Sequence, residues 1–174
     1  MEECLKIFYS PTKEEILDHK DIKIHTSVLL KFRFSDKVEI LTIYGNIDRK
    51  KLIYCVNHIK NLKKIIVIGD IKLSPEGGLI EQEIVCENLI INNSNYEFTN
   101  MTCNNIFLHN TSCRFDYLKL KYEDNFYYNN IDIVVDKELI FENFPERIIE
   151  ILHYSNVKFI NCSVDFKVES KKSG

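Results

Sequence analysis

Apolar and variable residues alternate in seven short stretches of the chain. Leu41 and Ile43 in KVEILTIYGN are followed by Ile65 and Val67 in NLKKIIVIGD, then by Leu89 and Ile91 in CENLIINNS and Ile106 and Leu108 in CNNIFLHNT. Leu118 and Leu120 in FDYLKLKY, Leu139 and Phe141 in DKELIFENF, and Val157 and Phe159 in YSNVKFINC complete the series. Alternation with period two is the pattern of a strand that turns one face to a core. Most copies end in Gly, Asn or Asp, which favour turns and tolerate left-handed backbone. The third and fourth copies are one phrase written twice: cysteine, two polar residues, an aliphatic pair around a variable residue, then asparagine and a hydroxyl.

Between the first aliphatic residues of successive copies the steps are 24, 24, 17, 12, 21 and 18 residues. Self-similarity near this period predicts a short parallel β-solenoid, each coil adding a strand to a continuous sheet. The step of 12 is too short for a coil, so FDYLKLKY is either a hairpin partner or no repeat. DRKKLIYCVNHIKNL predicts a helix with Asp48 as N-cap and Leu52, Cys55, Val56, Ile59 and Leu62 on its packed face. Pro145 opens a second predicted helix in FPERIIEILHY, and Thr12 to Glu15 reads as a capping box for a third that runs to Leu17. The fold class is therefore α/β to mainly β, with a few helices. Residues 1–37 are expected to form an N-terminal cap, 38–167 the solenoid body and 168–174 a flexible tail. An all-β sandwich is the alternative, because seven alternating strands suit it equally.

VEILTIYGN fits the leucine-rich-repeat strand pattern through Val38, Leu41, Ile43 and Asn46, and YSNVKFINC fits it through Tyr154, Val157, Phe159 and Cys162. The chain thus resembles an irregular leucine-rich-repeat or right-handed β-solenoid protein over residues 38–164. Copies that end in Ser94, Thr111 or Asp70 depart from the pattern, and the 17- and 18-residue steps are closer to β-helix coils. The resemblance implies a non-enzymatic interaction surface on the exposed face of the parallel sheet.

At 174 residues, 45% hydrophobic and 28% charged, the composition is that of one folded globular unit. A net charge of -3 without a basic block argues against a nucleic-acid partner. The acidic start MEECLKIFYSPTKEE contains no signal-like or membrane-spanning run, which suggests a cytoplasmic protein. Abundant Asn, Ile, Lys and Tyr resemble the products of AT-rich genomes, poxviruses among them. The six cysteines show no zinc-ligand spacing and suit a reducing compartment, where Cys86 and Cys103 serve as inward scaffold.

Catalytic patterns are weak. The five histidines are scattered, and Gly77-Gly78 lacks the Lys-Ser/Thr of a phosphate loop. Asp132, Asp136, Glu138 and Glu142 suggest either solubilising charge or a carboxylate pair of the glycosidase kind. No catalytic residue, metal or cofactor is expected.

The positions between and after the inward pairs point outward, and several hold large apolar side chains. Tyr44, Ile66, Ile68, Ile90, Phe107 and His109 are the candidate partner-binding residues. Either VLLKFRF or the aromatic loop YEDNFYYNN covers them, or another protein does. The expected role is a protein–protein interaction or scaffold module, monomeric or weakly oligomeric; a viral accessory protein binding a host factor is the form the composition suggests. A self-assembling structural protein and a small β-helix carbohydrate-active enzyme are the alternatives.

Overall fold

The computed structural model describes residues 4–127 and 129–171. They form two compact units, residues 1–72 with 82–87 and residues 73–81 with 88–174. Both are parallel β-solenoid, and every described ladder is parallel, which removes the antiparallel sandwich.

The first unit contains β1 (Leu5–Ile7), β2 (Ile16–Leu17), β3 (Asp21–His25), β4 (Arg33–Phe34), β5 (Ile40–Tyr44), β6 (Ile47–Asp48) and β7 (Lys64–Ile68). β8 (Asp70–Leu73) and β9 (Gly78–Val85) straddle the division. Inward columns run in register along the main sheet: Leu5, Ile22, Leu41, Ile65 and Ile84 form one, and Ile7, Ile24, Ile43 and Val67 the next. All but Leu5 are almost wholly buried. Each such side chain contributes about 1.5–3 kcal/mol relative to exposure. Between β6 and β7 lies α1 (Arg49–His58), as the apolar spacing predicts. The Asp48 carboxylate accepts from the Lys51 N–H at 3.0 Å, and Leu52, Cys55, Ile59 and Leu62 are buried.

Residues 1–37 are not a separate cap. β1 and β3 are rungs of the same sheet as β5, because DIKIH carries the same inward alternation as the later copies. The predicted capping-box helix is absent as well; Ile16–Leu17 is strand β2, paired with β4. VLLKFRF supplies a 3-10 helix, Thr26–Lys31, with Val28 and Leu29 inward. Residues 1–3 lie outside the described residues.

The second unit contains β10 (Asn88–Asn92), β11 (Tyr96–Cys103), β12 (Asn105–His109), β13 (Cys113–Lys121), β14 (Asn130–Glu142), β15 (Arg147–Tyr154), β16 (Val157–Ile160) and β17 (Phe166–Ser170). Two sheets share the coils. β10 pairs with β12 in one, while β11, β13 and β14 succeed one another in the other. The burial alternation breaks at Thr99–Asn100 and at Asp116–Tyr117, where two adjacent residues face away from the core. At the second break the register with β14 also shifts, between Phe115 and Tyr117.

Two sheets per coil account for the irregular steps. Leu41 to Ile65, Leu89 to Ile106, Leu118 to Leu139 and Leu139 to Val157 are true rungs. Ile65 pairs with Ile84, not Leu89, and the step of 12 from Ile106 to Leu118 passes from one sheet to the other. FDYLKLKY is therefore a genuine strand, in parallel register with β11 and β14.

FPERIIEILHY is strand β15 and not a helix. Ile149 and Ile151 are buried while Ile148 is exposed, so its β-branched run follows period two. The expected tail begins too early: Val168–Ser170 pairs with Ile149–Ile151, and the Lys171 N–H donates to the Ile151 carbonyl at 2.6 Å. Residues 172–174 lie outside the described residues. No helix among the described residues is long and apolar enough to cross a membrane.

Candidate binding surface

The doubled phrase is scaffold. Asn88 and Asn105 stack with their amides joined at 2.8 Å, Asn93 and Asn110 join at 3.2 Å, and the Thr111 hydroxyl donates to the Ser94 carbonyl at 2.8 Å. Asn93 and Asn110 hold left-handed backbone, φ 53° and 50°, which asparagine tolerates better than most residues. Cys86 and Cys103 are both buried, and none of the six cysteines is in a disulfide among the described residues. Burial pushes the Cys55 and Cys113 thiols up to about 12, far from the thiolate that nucleophilic chemistry requires.

The acidic residues are engaged in ion pairs. Asp132 meets Lys171 at 3.2 Å, Asp136 meets Arg114 at 3.5 Å, Glu138 meets Lys158 at 3.1 Å, and Glu142 lies 3.6 Å from both Lys119 and Lys121. In the first unit an open concavity of about 660 Å³ is edged by Lys20, Lys63 and Glu39, which are stacked at the turns entering β3, β5 and β7. The Lys63 ammonium, hydrogen-bonded at 2.7 Å, and then Lys20 hold the Glu39 carboxyl below its ordinary value. Among the described residues no group of three or more His, Cys, Asp or Glu is arranged to hold a metal.

The six candidate contact residues do not form one patch. Tyr44, Ile66 and Ile68 lie on the outer face of β5 and β7 in the first unit, with Tyr44 beside Ile68 and Thr42 beside Ile66. Ile90, Phe107 and His109 lie on β10 and β12 in the second, with Ile90 beside Phe107 and Asn92 beside His109. Tyr44, Ile66, Ile90 and Phe107 are half-buried, Ile68 is 45% exposed, and His109 is exposed. Local covers account for part of this burial. The Phe8 ring lies 5.4 Å from Tyr44, and Tyr127 of the aromatic loop lies 6.3 Å from Phe107. The aromatic loop is thus a partial cover over Phe107. VLLKFRF instead packs against the helix of the next coil, where the Phe32 carbonyl accepts from the Tyr54 hydroxyl of α1 at 2.8 Å.

A different surface stands out at the last rung of the second unit. Among the described residues β16 pairs with β14 alone. Phe159 occupies the inward column below Phe141, with ring centroids 6.2 Å apart and nearly parallel, and touches Phe166 edge-on at 5.8 Å. Yet it remains 50% exposed, where Phe141 is fully buried. Ile160 beside it is 42% exposed, and nearby Val164 is 95% exposed.

The backbone of β16 is open too. The Leu139 N–H donates to the Asn156 carbonyl at 2.9 Å, and the Asn143 N–H donates to the Ile160 carbonyl at 3.0 Å. In a parallel ladder bonding alternates by residue, so Lys158 and Ile160 face β14 while the N–H and C=O groups of Val157 and Phe159 point to the unpaired side. An edge of this kind accepts an added strand. The sequence signal was present: Val157 and Phe159 are the inward pair of the last copy, with no later copy to cover them.

Comparison with protein-family models, with curated proteins and with solved structures finds no match.

Proposed function

We propose that the protein is a non-enzymatic binding and scaffold module that takes up an extended strand of a partner protein along β16. One observation carries this reading: a phenylalanine in a core column is half in water, on a strand with one neighbour. Strand addition supplies what both features need. Backbone bonds satisfy Val157 and Phe159, and an apolar side chain opposite Phe159 completes its column. The occupant is an alternating apolar–polar segment running parallel to β16.

The test is an array of eight-residue peptides with alternating apolar positions, probed with wild type and with Phe159→Lys. Binding by wild type that falls at least tenfold in a variant of unchanged circular dichroism supports the role. Binding indifferent to Phe159→Lys, or no binding to any alternating peptide, refutes it. Val157→Pro is the second variant; it removes one outward N–H and leaves the Phe159 ring in place.

A further inference from the structure

The strand that fits β16 best is in this chain. We infer that β1 of a second copy docks on β16 and that the protein self-associates head to tail. This rests on the strand-accepting role of β16 and names the occupant.

The two edges present complementary bonding patterns. In the first unit the Ile40 N–H donates to the Lys20 carbonyl at 3.0 Å, and the Lys64 N–H donates to the Glu39 carbonyl at 3.1 Å. With the registers Ile40↔Asp21 and Lys64↔Ile40, the outward residues of each strand bond to the preceding strand, and the inward residues bond to the next. The same rule carried to β1 turns Leu5 and Ile7 toward β3 and leaves the N–H and C=O groups of Lys6 and Phe8 at the free edge. The β14–β16 ladder follows this rule as well, so the free groups of β16 belong to the inward Val157 and Phe159. An edge offering inward residues meets an edge offering outward ones, which is the arrangement of every interior rung. Two β16 edges, or two β1 edges, would not match in this way.

The side chains agree with the backbone. Val157-Lys158-Phe159-Ile160 and Leu5-Lys6-Ile7-Phe8 share one order: apolar, lysine, apolar, apolar. In register, Leu5 extends the Leu139–Val157 column and Ile7 covers the open side of Phe159. Phe8, 54% exposed, comes beside Ile160, 42% exposed, so apolar surface at the two edges is removed from water together. Lys6 comes beside Lys158, whose charge Glu138 already holds at 3.1 Å. Lys6 stands beside Lys23 in the same way within the chain.

Sedimentation velocity over a wide concentration series tests this with two end-blocked variants. Lys6→Pro removes an outward donor of β1 and keeps the bonds to β3; Phe159→Lys blocks β16, with Val157→Pro in its place if Phe159→Lys fails to fold. Wild type is expected to form dimers and longer species as concentration rises. Each variant alone stays monomeric, and an equimolar mixture stops at the dimer, because each partner retains one good edge. A wild type that stays monomeric, or oligomers that persist in both variants, overturns the inference. If alternating peptides still bind at Phe159 while wild type stays monomeric, the strand-accepting role stands and only its occupant is wrong. If peptides fail as well, both fall.

Discussion

The Asn110 side-chain amide donates to the Asn93 side-chain carbonyl across 3.2 Å, and both residues sit in left-handed backbone. In these two coils an asparagine thus turns the chain and is tied to the equivalent turn beside it. Asn143 and Asn161 repeat the device at 2.8 Å, with φ 64° and 51°. Replacing Asn110 by Ala removes the hydrogen bond and leaves a Cβ residue in left-handed backbone without asparagine's tolerance of it, a loss of about 1–2 kcal/mol. Asn110→Gly relieves the backbone and loses only the bond, so it should cost less than Ala. Urea unfolding of the two variants gives the order; an Ala variant as stable as the Gly variant contradicts the role.

Gly77 and Gly78 differ sharply although they are neighbours. A Cβ on Gly77 would fall on the Asn95 carbonyl oxygen, which is backbone and has no rotamer to move away. A Cβ on Gly78 meets only the Tyr96 ring, at 3.8 Å. Gly77→Ala should therefore cost about 3 kcal/mol, near the upper end of overpacking losses. Gly78→Ala should be close to neutral. Thermal melts of both variants check the contrast.

Cys55 is buried on the inner face of α1, and burial pushes its thiol up to about 12 from an ordinary value of 9.0. Its folded pKa lies above the unfolded one, so its contribution is fully present below the unfolded value and is lost as pH rises toward 12. Stability should therefore fall through the alkaline range, and Cys55→Ala should flatten that fall while lowering stability at neutral pH. A thiol reagent should find Cys4 and Cys162 before the buried Cys55, Cys86, Cys103 and Cys113, which become accessible on unfolding.

Glu39 shows the opposite sign. Hydrogen bonding from Lys63, with Lys20 beside it, lowers its folded pKa, so its contribution is present above the unfolded value and is lost as pH falls through the folded one. Glu39→Gln should flatten the acid limb of the stability curve, by a small amount because the group is solvent-exposed. An acid limb unchanged in the variant argues against the Lys20–Glu39–Lys63 stack.

The parallel coil was legible in the sequence because period two and the recurring turn residues are local signals. Leu41, Ile43, Leu89, Ile91, Leu139 and Phe141 are all buried where the alternation places them. The sheet to which each copy belongs was not legible. Ile65 and Leu89 carry the same local pattern, yet Ile65 pairs with Ile84, since register is fixed by three-dimensional neighbours and not by motif. The Ile-rich FPERIIEILHY fits a short helical face and a strand equally well on paper; neighbouring strands β14 and β17 decide it. At the surface, alternation identified which residues point outward but not which face each occupies, so Tyr44 and Phe107 were grouped although they lie on separate sheets. Phe159 carried the opposite problem. Its pattern is inward, and only its place on the last rung leaves it in water.

Residue-resolved amide hydrogen exchange along β16 tests the strand-accepting role most directly. In dilute protein, Lys158 and Ile160 should be protected by β14, while Val157 and Phe159 exchange freely. On addition of a peptide selected from the alternating array, Val157 and Phe159 should become protected in the same alternating pattern. Protection of Val157 and Phe159 in the dilute protein alone, or peptide-induced protection elsewhere with these two unchanged, would contradict it.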